Sequence, residues 1–151
     1  MSLGSYNTIN MDWNTEFTMM SRTLLACVLG AAIGIEREFR GKDAGIRTYA
    51  AVAVGACTFG LIGQHIAPTV DTRVAANVVV GIGFLGAGMI MKDGNRVEGL
   101  TTAATVWATA AVGLALSSGM YLLGILTSVL IFFILALQDL PFWKKLKDKL
   151  Q

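Results

Sequence analysis

Charge is what this chain has least of. Its 12 Lys and Arg and 10 Asp and Glu make up 15% of 151 residues, against about a quarter in an ordinary soluble domain. That is too little ionisable surface for a soluble fold of one-domain length, and the mean hydropathy of +0.62 points the same way. Apolar residues at 54% exclude a disordered chain, which needs low hydrophobicity and high charge. Only 2 Pro, beside 17 Gly, exclude a proline-rich or collagen-like chain. A net charge of +2 is too small to point to nucleic acid. The only cysteines are Cys27 and Cys57, with no CxxC or Cys/His cluster, so a thiolate metal site is not expected. Both read as small packing residues at matching depth. One His, no G-x-S-x-G and no acid placed to orient that His leave no hydrolase constellation, and no enzymatic activity is expected.

Where charge is missing is more informative than how much. Between Arg47 and Asp71 lie 23 residues without Asp, Glu, Lys or Arg, between Arg73 and Lys92 another 18, and between Glu98 and Asp139 another 40. Crossing about 30 Å of hydrocarbon takes roughly 20 helical residues. The gaps therefore hold one, one and two spans, the last divided at Ser117-Ser118-Gly119. A further span over about 17–35 is interrupted only by Arg22. It has no basic leader before it and no small-x-small cleavage site, so it reads as a helix and not as a signal peptide. The expectation is an all-α polytopic bundle with five transmembrane helices, near 17–35, 48–68, 74–91, 100–116 and 120–138. A polar segment, 1–14, precedes the transmembrane domain 15–140, and a basic tail, 141–151, follows it.

Ten of the 12 Lys and Arg fall in segments 36–47, 92–98 and the tail, leaving only Arg22 and Arg73 toward the other side. The positive-inside rule then places the N-terminus outside and the C-terminus in the cytoplasm. Phe142 and Trp143, after Pro141, suit an interfacial aromatic belt, and the Lys cluster 144–149 suits anionic headgroups. Arg22 can snorkel outward or pair with Glu16 or Asp71, and His65 reads as interfacial.

Helix three carries Gly81, Gly83, Gly86 and Gly88 in the run Gly81-Ile82-Gly83-Phe84-Leu85-Gly86-Ala87-Gly88. In lipid, such glycines permit close backbone approach to a neighbour in the same chain or in a second subunit, which leaves a homo-oligomer open. The sharper reading is local unwinding with freed carbonyls. The run also matches G-x-G-x-x-G, but inside an uncharged membrane-length segment it lacks the βαβ context that dinucleotide binding needs. Asn77 lies four residues into the same helix. Thr101, Thr105 and Thr109 share a face of helix four, with Thr102 beside them, and Thr back-bonded to the preceding turn is the plain reading.

Mid-membrane acids are missing, which disfavours a carboxylate-based proton carrier or an acid-lined cation pore. The acids gather instead at the cytoplasmic side, with Glu36, Glu38 and Asp43 in the first loop and Asp93 and Glu98 in the second. With Arg37 and Arg47 nearby, they can form ion pairs between loops. They can also hold a partly hydrated Mg²⁺, for which Glu36, Glu38 and Asp43 are the candidate ligands. No other cofactor is expected.

The segments Gly34-Ile35-Glu36-Arg37-Glu38, Ala44-Gly45-Ile46-Arg47-Thr48, Arg73-Val74-Ala75-Ala76-Asn77, Gly81 to Gly88 and Gly99-Leu100-Thr101-Thr102-Ala103-Ala104 come in an order and spacing that resembles the MgtC/SapB family of bacterial inner-membrane proteins, over about 17–138. The resemblance implies a multi-pass inner-membrane protein associated with magnesium homeostasis, low-Mg²⁺ and acid stress, and virulence. It implies regulation of other membrane proteins, ATP synthase among them, although members are often labelled magnesium transporters. Many members carry a soluble C-terminal domain, so this chain is expected to be a membrane-only or shortened form.

Overall fold

The computed structural model describes residues 12–66 and 72–137. The chain runs α1 (Trp13–Phe39), α2 (Ile46–Ile66), α3 (Thr72–Gly88), β1 (Met91–Asp93), β2 (Arg96–Glu98), α4 (Leu100–Ser117) and α5 (Tyr121–Ala136). The fold is all-helical apart from one short hairpin. α1, α2 and α4 are long and apolar enough to cross a membrane, while α3 and α5 are shorter apolar helices. Asp71, the polar segment up to residue 11, and the tail with Phe142, Trp143 and its lysines lie outside the described residues.

α1 is longer than its apolar run suggests. The Asp12 carboxylate accepts from the Asn14 N–H at 3.4 Å and caps the start. The helix then continues four residues past Ile35, so Glu36, Arg37 and Glu38 stand in its last turns and not in a loop. Gly41, at φ 63, turns the chain out of the helix toward α2. At 27 residues α1 measures about 40 Å, more than a bilayer core needs.

The interior is a seam of α1, α2 and α4, with α5 packed on α4 and α1, and α3 on α4 and α2. Ala26, Ile33, Tyr49, Ala53, Cys57, Val106, Ala110 and Leu116 fill it, joined by Ile131 and Leu135 from α5. Small residues set these contacts, because lipid offers helices no hydrophobic drive and close backbone approach must do the work. A Cβ added at Gly30 would stand 2.6 Å from the Tyr49 carbonyl oxygen, and one at Gly34 2.5 Å from Ile46 Cα. Gly113 lies equally close to the α2 backbone.

The glycine run of α3 behaves differently. A Cβ at Gly81, Gly83 or Gly88 would meet nothing within 4 Å, and only Gly86 faces a neighbour, Ala103 Cβ at 3.7 Å. The close packing expected of this run within the chain is therefore supplied by Gly30, Gly34 and Gly113. Nor does α3 unwind, since it is continuous from Thr72 to Gly88. It stops three residues short of the expected 91, and the following residues form an antiparallel hairpin pairing Met91 with Glu98 and Asp93 with Arg96. Gly94, at φ 57, supplies the positive φ that two-residue hairpin turns require. Gly99, at φ 85, starts α4 directly against the Met89 carbonyl, where any side chain would collide.

Candidate functional site

The polar residues singled out from the sequence meet at one end of the seam. Arg37 is only 2% exposed, and Glu36 8%. Arg37 Nη2 donates to Thr102 Oγ1 at 2.7 Å, and Nη1 lies 3.9 Å from Glu36 Oε2. Arg40, one turn on, pairs with Glu36 Oε1. These ion pairs lie within the last turns of α1, where the sequence suggested pairing between loops. Behind them the Tyr49 hydroxyl and Thr105 Oγ1 are 2.6 Å apart. Thr105 Oγ1 is 2.9 Å from the Thr101 carbonyl, so its proton goes there and the phenol donates to it. The Arg37 guanidinium faces the same phenol. Thr109 donates to the Thr105 carbonyl at 2.8 Å, the plain back-bonded arrangement.

Glu38 does a different job. Its Oε2 accepts from the Ile46 N–H at 3.0 Å and so caps α2 from eight residues upstream. A Cβ at Gly45 would meet this carboxylate and push it off the Ile46 N–H, so glycine there leaves room for the cap. Glu38 also lines an open cleft of about 550 Å³ with Lys42, Asp43, Arg47 and Thr48. A second cleft, about 520 Å³, brings Lys42 and Asp43 together with Gly88, Glu98, Gly99 and Thr102. Glu36 opens onto neither; it borders a pocket with Ile35, Phe39, Arg40 and Phe132. Glu36, Glu38 and Asp43 thus form no ligand set: one is paired with arginine and one caps a helix. Among the described residues no group of three or more His, Cys, Asp or Glu is placed to hold a metal.

Other expected positions lie apart. Asn77 and Gly81 line an apolar groove of about 520 Å³ between α2 and α3, opposite Gly55 and Phe59. Gly83 is exposed on α3, and Asp93 is exposed on the hairpin across from Arg96. Thr101 contributes its carbonyl, not its side chain. Sequence reasoning passed over Tyr49 and Arg40. A phenol one turn into an otherwise apolar helix was the available signal for Tyr49, since a buried hydroxyl needs a partner.

Arg22 is the largest correction. Its charge does not go to Glu16 but to the turn between α4 and α5: Nη1 donates to the Ser117 carbonyl at 2.6 Å and Nε to the Tyr121 hydroxyl at 3.0 Å. Its guanidinium carbon stands 5.7 Å from the Tyr121 ring centroid. The two arginines of α1 thus grip the two ends of α4. Arg37 lies fifteen positions after Arg22, and their partners Thr102 and Ser117 are likewise fifteen positions apart.

Comparison with known proteins places this arrangement. A family model described as the MgtC family matches residues 23–140. The putative magnesium transporter YhiD of Escherichia coli K12 is 42% identical over 123 residues, covering 76% of this chain and 57% of YhiD. Protein MgtC of Salmonella typhimurium LT2 is 47% identical over 105 residues, 70% of this chain and 46% of that one. Protein MgtC of Brucella abortus is 52% identical over 96 residues, 63% and 40% respectively. The chain thus spans about half the length of the curated relatives it matches. No solved structure matches it.

Proposed function

The chain belongs to the MgtC family, and on that premise we propose that it is a five-span bacterial inner-membrane protein of magnesium homeostasis, with its N-terminus outside. It serves adaptation to low Mg²⁺ and acid stress, virulence included, by binding and regulating other membrane proteins rather than by carrying an ion. The supporting observation is the seam itself. Ala26, Tyr49, Ala53, Val106, Val112 and Leu116 close the space between α1, α2 and α4, each at 0% exposure. At the end of it where the polar residues meet, Arg37 is held by Thr102 and Glu36, Arg40 by Glu36, and Tyr49 by Thr105, with Arg37 Nε the one nitrogen of the cluster buried without a hydrogen-bond partner among the described residues. Mg²⁺ gives up water reluctantly and needs oxygen ligands or room for its hydration shell. A closed seam offers neither.

The second reading is a Mg²⁺ or other cation transporter. It is favoured by the printed name of YhiD and by the cleft where Asp43 and Glu98 meet near the C-terminal end of α3, the negative end of a helix. One experiment separates the two. Purified protein in liposomes is expected to give no Mg²⁺ flux above empty vesicles, while cells lacking it grow poorly at low Mg²⁺ and are rescued by it. Saturable flux that is lost in a Glu36→Gln, Asp43→Asn double variant would overturn the regulatory reading.

A further inference from the structure

The end of the molecule away from the buried cluster carries a polar cavity that no part of this reading uses. Thr15, Thr18, Met19 and Arg22 follow one another at helical spacing on a single face of α1, and Leu61, Gln64 and His65 do so on α2. Together they line a space of about 260 Å³. Among the described residues its lining contains an arginine, a histidine, an amide and two hydroxyls, and no carboxylate. Among the described residues no acid pairs with Arg22.

A count of donors sharpens the picture. A guanidinium has five N–H groups, and Arg22 commits two of them, to Ser117 and Tyr121. Gln64 gives one of its amide protons to Ser118 Oγ at 3.2 Å and retains the other. Thr18 has spent its proton on the Asn14 carbonyl. The Thr15 hydroxyl and the His65 ring make no hydrogen bond among the described residues. Uncommitted donors therefore stand on two helices around one cationic group, and among the described residues lining the space no carboxylate answers them.

Depth completes the argument. Ser117 ends α4 and Tyr121 begins α5, so Arg22 lies level with the turn that ends two apolar helices. Thr18 and Thr15 stand four and seven residues beyond it, roughly 6–10 Å further out. Trp13 and Phe17, 85% and 73% exposed on the same stretch, suit the aromatic belt at a membrane surface. This is the layer in which phospholipid phosphates lie.

We propose that the Arg22–His65 cavity binds a phosphate group, with Arg22 as its charge partner and Thr15, Gln64 and His65 as further donors. A phosphate suits donors spread over two helices better than a carboxylate does, because it presents more acceptor oxygens around a tetrahedral centre. The group is supplied by the headgroup of an anionic phospholipid or by free phosphate. This site is independent of the regulatory reading.

The test uses the full chain in phosphate-free maltoside micelles, titrated in separate arms with phosphatidylglycerol, diacylglycerol and inorganic phosphate, and followed by thermal unfolding. Phosphatidylglycerol is expected to raise the melting temperature saturably, and diacylglycerol, which has the chains without the phosphate, is expected not to. Thr15→Asp places a charge on an exposed position beside Arg22 and is expected to weaken the response about tenfold. Arg22→Gln should remove it, and Lys92→Gln on the distant hairpin should leave it unchanged. The same variant pattern with inorganic phosphate supports the site with a free anion as its source. A response that does not saturate, or one that Thr15→Asp and Arg22→Gln leave intact, overturns the proposal.

Discussion

Arg37 and Arg22 sit on the same helix and grip the same partner, yet their surroundings are opposite in kind. Arg37 is sealed at 2% exposure and gives a proton to a side-chain hydroxyl, while Arg22 is half-buried and gives one to a backbone carbonyl besides the one it gives to the Tyr121 hydroxyl. The helix dipole accounts for the difference. Arg22 meets the C-terminal turn of α4, where unpaired carbonyls and the negative dipole end welcome a cation without any acid. Arg37 meets the first turn of α4, the positive end, and its charge is compensated by Glu36. One end of the seam therefore needs a carboxylate and the other does not. The lesson is that an arginine's partner in a membrane seam is set by which end of a helix it faces.

If that contrast is right, removing the sealed cation costs most. Arg37→Met leaves Glu36 buried with only Arg40 as partner, and a loss of ~3–5 kcal/mol in unfolding free energy is expected. Adding Glu36→Gln should recover part of it, which chemical unfolding in micelles would register as non-additivity. A double variant no more stable than Arg37→Met alone would break the comparison at its base.

Arg22→Met should cost less, about 1–2 kcal/mol, because water reaches the carbonyls it uncovers. A loss as large as that of Arg37→Met would mean the Arg22 end is as sealed as the Arg37 end. The smallest effects sharpen the contrast further. Tyr49→Phe removes a buried phenol proton and is expected to cost about 1–1.5 kcal/mol, and Tyr121→Phe about 0.5 kcal/mol or less at its exposed site. Equal losses, measured the same way, would show that burial does not separate the two ends.

The apolar stretches were legible in the sequence because a charge-free run of membrane length has few other uses, and the five helices fall where those runs lie. The ends were less legible. Glu36 and Arg37 read as loop residues because charge normally marks the edge of a span, but α1 keeps its charges inside by pairing them one turn apart. Glycine density misled for a related reason. Gly81, Gly83 and Gly88 are conspicuous together, while Gly113 is a single residue whose importance lies in the helix opposite; of the closely packed glycines, Gly30 and Gly34 carried a local pattern, four residues apart on one face. Arg22 was noticed, but its partner is a main-chain carbonyl 95 positions away, and a carbonyl leaves no signature in a sequence. The Tyr49–Thr105 bond was hidden in a similar way: its partners lie 56 positions apart, and of the two hydroxyls only that of Thr105 was in view.

The matched spacing of the two clamps makes α1 and α4 a pair of rulers. Each has fifteen steps between its marks, about 22 Å, and the marks coincide only when both lengths agree. Inserting or deleting one residue between Arg22 and Arg37 would shift one mark by about 1.5 Å and swing it roughly 100° around the helix, so only one clamp could close. The bend at 40–45 and the hairpin at 91–98 lie outside both rulers and can change length without disturbing either mark. A change of length is therefore expected to be absorbed in the connections, while the stretches 22–37 and 102–117 need a fixed count whatever residues fill them.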